Sequence, residues 1–142
     1  MKISLLAPDY SVSEQLTEAD LVTVKAEGFK TVICNRPDEE IDPALHARFM
    51  EAEANRLGLD FIYNPVSSRG FTMPNVELQT EAIDTAKKPI LAYCRSGTRS
   101  TVCWALAHAE RLPVDEIIQT AAKAGYDIGK LRPQLEAMAE FG

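Results

Sequence analysis

With 142 residues, 46% hydrophobic and 25% charged, the chain has the make-up of one globular domain large enough to build its own core. Its 21 acidic residues against 15 basic leave a net charge of −6 with no basic run, which argues against a nucleic-acid or anionic-membrane surface. Three cysteines at irregular spacing make no disulfide framework, and no apolar run approaches a membrane span or a secretory leader, so a reducing cytoplasm is the expected compartment.

Met1 to Val12 reads as an irregular lead-in with room for one short strand. Thr17-Glu18-Ala19-Asp20 has the form of a capping box with acids in the first turn; the helix it opens buries Leu21 and Val24 and stops at Gly28. Phe29 to Asn35 is apolar and β-branched, a central strand, and Pro37 ends it in a polar turn. Asp42-Pro43 caps a helix through Leu57 closed by Gly58, and Leu59 to Tyr63 is a further strand. Pro65 to Pro74 is a loop, Asn75 to Lys87 a helix, and Pro89 to Tyr93 a short buried strand. After the helix that begins near Ser100, Pro113 to Ala124 and Lys130 to Phe141 complete the chain as helices, the last with Leu131, Leu135 and Met138 at helical spacing.

Strands alternating with helices predict a single α/β domain over residues 1–142, with a central, mainly parallel sheet flanked by helices. In such sheets ligands bind beyond the carboxyl ends of the strands. Asn35 to Asp38, Ser67 to Gly70 and Cys94 to Arg99 each follow a strand and are expected on one rim.

Cys94-Arg95-Ser96-Gly97-Thr98-Arg99 fills the turn between the last strand and an apolar helix. Successive N–H groups at such a turn, with Gly97 free to take an unusual φ, can curl around an anion at the positive end of the helix. A cysteine there, flanked by two arginines, is placed to be a thiolate nucleophile. Cys34 and Cys103 lie inside apolar segments without a neighbouring cation and read as packing. Paired cysteine and histidine spacing for zinc is absent, as are the lysine and spacing of a nucleotide-binding P-loop, and the chemistry calls for no metal or cofactor.

TVICNRPDEE before a helix, a strand ending in NPVSS, and then LAYCRSGTRS resemble the phosphatase-like domain of bacterial beta-lactamase-hydrolase-like proteins. The likeness runs through the chain in element order, and CRSGTRS is its most specific part. Members of that family have been called both phosphatases and sulfur transferases. The resemblance implies the fold of dual-specificity and other cysteine phosphatases, while the loop alone is similar to that of rhodanese sulfurtransferases. Cysteine phosphatases have one more residue between nucleophile and arginine than separates Cys94 from Arg99. They also place a histidine before the cysteine, where this chain has Tyr93, and an aspartic acid on a neighbouring loop, where Ser67 to Met73 contains no acid.

A shorter cup and a missing acid favour sulfur as the cargo, because sulfite or a thiolate departs without a donated proton. The leading expectation is therefore a sulfurtransferase: Cys94 takes a sulfur from thiosulfate or a persulfide and passes it to a thiol acceptor. Arg99 binds the anionic donor, Arg95 steers from the rim, and the loop amides, including those of Ser96, Gly97 and Thr98, hold the persulfide. Ser100 hydrogen-bonds the Cys94 sulfur. Asn35, Arg36, Ser67 and Arg69 are candidate rim contacts or plain loop structure, and Asp38 is either a stand-in acid or a cap for its turn. The alternative expectation is a cysteine phosphatase acting on tyrosine or small phosphoesters through Cys94 and Arg99. A third is a non-catalytic anion-binding module with an unreactive Cys94.

Overall fold

The computed structural model describes residues 1–141. Five strands, β1 (Ile3–Ala7), β2 (Tyr10–Ser13), β3 (Thr31–Cys34), β4 (Asp60–Tyr63) and β5 (Ile90–Tyr93), form one sheet in the order β1-β2-β5-β3-β4. Only β1 runs antiparallel to its neighbour; β2, β5, β3 and β4 are parallel. Six α-helices cover the sheet: α1 (Glu18–Ala26), α2 (Ala47–Arg56), α3 (Met73–Thr85), α4 (Thr98–Ala107), α5 (Val114–Lys123) and α6 (Arg132–Phe141). This is the α/β architecture expected from the alternation of strands and helices.

Side chains alternate across a pleated strand, and β5 shows the consequence. Leu91 and Tyr93 join Leu21 and Val24 of α1 and Met50 and Ala54 of α2 in one core. Ile90 and Ala92 join Val76 of α3, Trp104 and Leu106 of α4, Ile117 of α5 and Leu135 of α6 in the other. The next residue in this alternation is Cys94, at the carboxyl end of the central strand.

Helix boundaries follow local chemistry. Thr17 and Asp20 form the expected reciprocal capping box, and Gly28 and Gly58, at φ 96° and 82°, close α1 and α2. Several boundaries differ from the sequence expectation. The lead-in holds two strands rather than one, because β2 fits four residues between a tight turn and Glu14, with serines interrupting the apolar run that marks a buried strand. The helix expected from Pro43 begins only at Ala47; two short 3-10 turns, Asp38–Glu40 and Pro43–Leu45, precede it. α3 starts at Met73, capped by Thr72, with Pro74 accommodated in the first turn where its missing N–H costs no helical bond.

Candidate active site

Cys94 is buried at the head of the strand-to-helix loop. Gly97 stands at φ 98° as the N-cap of α4, a left-handed conformation that glycine adopts without a Cβ penalty. That conformation turns the Gly97 N–H onto Cys94 Sγ at 3.1 Å. Further along, Thr98 N donates to Ser96 Oγ at 3.3 Å, and Thr101 Oγ1 donates to Gly97 O at 2.8 Å, closing the loop against the helix. Arg99 and Ser100 lie in the first turn of α4, so their N–H groups have no intrahelical acceptor and face the loop end of the helix. The Ser100 hydroxyl is buried and has no hydrogen-bond partner among the described residues, so it is Gly97 N, and not the expected Ser100, that donates to the sulfur.

Arg99 is fixed by two neighbours. Its Nη1 and Nη2 donate to the two carboxylate oxygens of Glu40 at 2.8 Å each, and Nη1 also donates to Val66 O at 2.7 Å. Such a fork-to-fork pair sets the plane of the guanidinium as well as its position. Arg99 holds the Glu40 carboxyl below the usual carboxylate range, and Glu40 in turn raises Arg99 further above neutrality. Arg36 completes the cluster: Nη2 donates to Glu40 O at 3.0 Å, Nη1 to Gln15 Oε1 at 3.3 Å, and Nε lies 3.6 Å from Glu40 Oε1. Glu40 and Gln15 were not marked by the sequence. Glu40 sits in the run Asp38-Glu39-Glu40, which reads as a solvated face; the only clue was that an arginine beside a buried cysteine needs a carboxylate partner.

The remaining expected residues divide. Arg95 and Ser96 are exposed on the loop, and Arg95 O accepts from Gln15 N at 3.2 Å, tying the loop to the end of β2. Ser67 and Arg69 are exposed in a tight turn after β4, where Ser67 Oγ accepts from Arg69 N at 3.1 Å. Asn35 is no rim contact. It is fully buried, and its Nδ2 donates to Asn64 O at 2.9 Å and Gln79 Oε1 at 3.0 Å. Gln79 also binds Tyr10 and Asn64, so these amides satisfy one another between sheet and α3. Asn35 reaches the site only through its backbone: Asn35 O accepts from Val66 N at 2.9 Å, and Val66 O then holds Arg99. Asp38 caps no bond of its own turn; its Oδ1 accepts from Ala47 N at 2.8 Å at the start of α2.

The other cysteines are buried, and burial is the main reason their thiols are pushed up, Cys34 to about 11 and Cys103 to about 12. Tyr93, at the position before the cysteine, faces the core of α1 and α2. No group of three potential metal-ligating side chains occurs among the described residues, and none of the described helices is long and apolar enough to cross a membrane.

A mainly parallel sheet whose central strand delivers a cysteine into an amide-lined helix N-terminus, with a paired arginine beside it, defines the cysteine-phosphatase class of fold. The chain belongs to the family of the beta-lactamase hydrolase-like protein, phosphatase-like domain, whose model matches residues 2–111. A beta-lactamase hydrolase-like protein of Xylella fastidiosa strain 9a5c is 27% identical over 141 residues, covering 98% of this chain and 33% of the relative. The chain thus spans about a third of the length of the curated relatives it matches. A crystal structure of a candidate phosphatase from Neisseria meningitidis Z2491 is 36% identical, with a TM-score of 0.85 over 97% of this chain and 99% of that one. Kinase-associated phosphatase, crystallised with its catalytic-site cysteine changed to serine, shares the fold at 12% identity, with a TM-score of 0.76 over 92% of this chain and 85% of that one.

Proposed function

We propose that this domain is a cysteine-dependent phosphoester hydrolase acting on small substrates whose leaving group departs without a donated proton. The observation that carries the reading is the Gly97 N–H aimed at Cys94 Sγ inside a helix N-terminus, with Arg99 locked alongside by Glu40. Family membership and the phosphatase fold support the same class. In the first step the Cys94 thiolate attacks phosphorus; a P–S bond forms as the P–O bond to the leaving group breaks. The loop amides and Arg99 take the charge on the phosphoryl oxygens. Water then cleaves the P–S bond, releasing phosphate and restoring the thiolate. With Asp38 Oδ1 taken by Ala47 N and no acid between Ser67 and Met73, no aspartic acid is committed to protonating an alkoxide, so aryl phosphates and phosphoanhydrides are favoured over alkyl esters.

A specific feature favours a second reading, sulfur transfer: the loop is one residue shorter than that of cysteine phosphatases, which narrows the cup. Cys94 would attack the outer sulfur of thiosulfate, forming one S–S bond as another breaks and sulfite leaves, and an acceptor thiolate would then remove the sulfur. One experiment separates the two. The protein is mixed with an aryl phosphate or with thiosulfate, released phosphate is assayed, and the Cys94 peptide is weighed. Phosphate release lost in Cys94→Ser supports hydrolysis. A gain of one sulfur without phosphate release moves the assignment to sulfur transfer, and no reaction with either sinks both.

A further inference from the structure

The loop that holds Cys94 is touched from outside by a residue that lies beyond the family-matched segment. Tyr126 follows the end of α5, where Gly125 takes φ 100° and Tyr126 N donates to Ala121 O at 2.9 Å, turning the chain back toward the loop. Its hydroxyl donates to Ser96 O at 3.1 Å. A Cβ added at Gly97 would collide with Tyr126 Oη and meet Cζ at 2.9 Å, so the ring end lies directly against the Gly97 backbone.

Ser96 C=O and Gly97 N–H are the two ends of a single peptide group. This peptide is trans, so its carbonyl and N–H point in opposite directions. Tyr126 grips the outward end, and Cys94 Sγ receives the inward end at 3.1 Å. The result is a relay: the Tyr126 hydroxyl to the Ser96 carbonyl, then through the peptide, and from the Gly97 N–H to sulfur. Hydrogen bonds in series polarise one another, so donation at the carbonyl strengthens donation at the N–H. Glycine at this position removes most of the steric resistance to a peptide flip. A flip would put the Ser96 oxygen where the N–H now stands, presenting a partial negative charge to the sulfur and to any anion it carries.

We infer that Tyr126 is a positioning residue for the reacting group: by holding Ser96 O outward it keeps the Gly97 N–H on Cys94 and the cradle in its anion-receiving orientation. The inference builds on Cys94 being the reacting group, and it adds a control point contributed by the α5–α6 turn. Because it acts through a peptide orientation, its loss changes how Cys94 reacts more than whether the chain folds.

The test is the rate of Cys94 alkylation by iodoacetamide across pH, in the unmodified chain, in Tyr126→Phe and in Asp115→Asn. Asp115→Asn breaks the exposed pair with Arg132, at 2.6 Å, and so perturbs the packing of the same two helices, α5 and α6, without touching the loop. Tyr126→Phe is expected to slow alkylation near neutral pH by about three- to tenfold, the scale of one lost hydrogen bond, and to move the profile toward higher pH. It is also expected to weaken protection of Cys94 by inorganic phosphate, while Asp115→Asn behaves as the unmodified chain. Superimposable profiles for Tyr126→Phe and the unmodified chain overturn the inference. Amide-proton exchange at Gly97 in the unmodified chain reads the same clamp without a mutation; exchange as fast as at the exposed Ser96 overturns it as well. A Cys94 inert to alkylation in the unmodified chain would count instead against the proposed function and leave the clamp to the exchange measurement.

Discussion

Changing Glu40 to Gln removes one charge while keeping the side chain's shape, and so isolates what the carboxylate does for Arg99. The two side chains are 25% and 18% exposed, which places the pair between a surface ion pair, worth about 0–1 kcal/mol, and a buried pair whose breakage costs about 3–5 kcal/mol. An intermediate cost of about 2 kcal/mol follows, or a fall in Tm of about 6 °C for a chain of this size. Gln can accept from only one of the two Arg99 nitrogens, and its own NH2 faces the other, so the guanidinium loses its fixed plane. Weakened anion contact should lower kcat/KM for an aryl phosphate by about tenfold, equivalent to about 1.4 kcal/mol. The pH dependence has a definite sign. The Glu40 carboxyl is held below its unfolded value, chiefly by the hydrogen bonds from Arg99, so its stabilisation is complete above the ordinary carboxylate range and is lost as pH falls through the folded value. The Tm gap between the unmodified chain and Glu40→Gln should therefore be widest near neutrality and close in acid. Scanning calorimetry across pH, together with phosphate protection of Cys94 from alkylation, reads both effects. Equal Tm values at neutral pH with unchanged protection would refute the assignment of Glu40 as the group that orients Arg99.

Gly97→Ala imposes a left-handed conformation on a residue with a Cβ, costing about 1–2 kcal/mol, and drives that Cβ into Tyr126; denaturant unfolding should show a total loss of about 2–4 kcal/mol. Asp38→Ala should cost about 1 kcal/mol through the lost α2 cap while leaving hydrolysis within about twofold. A drop of about a hundredfold confined to poor leaving groups would make Asp38 the acid after all. Gln79→Leu takes one partner from each of the buried Asn35 and Asn64 amides and from the Tyr10 hydroxyl, and a loss of about 3 kcal/mol is expected in thermal unfolding; a change under about 1 kcal/mol would show that these groups find other partners.

What could be read in the chain and what could not divide along a physical line. The Cys94–Ser100 loop was legible because its parts are contiguous: an apolar strand, a glycine and a helix start stand next to one another. The capping box at Thr17 and the glycines after α1 and α2 were legible for the same reason. Groups that act from a distance were not. Glu40 looks like part of a solvated acidic run, and Tyr126 carries no local sign that its hydroxyl reaches Ser96. Asn35 was singled out by its place after β3, yet it turned inward because Gln79 and Asn64, from two other elements, supply an interior partner set. β2 escaped notice because four residues with alternating serines carry too little apolar signal, although its neighbours in the sheet bury it on both sides.

The sheet order sets the timetable of assembly. β5 lies between β2, from the opening of the chain, and β3, so the strand that carries the cysteine needs partners drawn from widely separated parts of the sequence. Pairings that distant bear the entropy of closing long loops before they gain any contact, which slows folding. A chain in which β5 is not yet paired would therefore lack the loop that seats Cys94 against the Gly97 N–H. Chemical competence needs β5 paired on both sides, and the onset of Cys94 reactivity during refolding would mark that pairing.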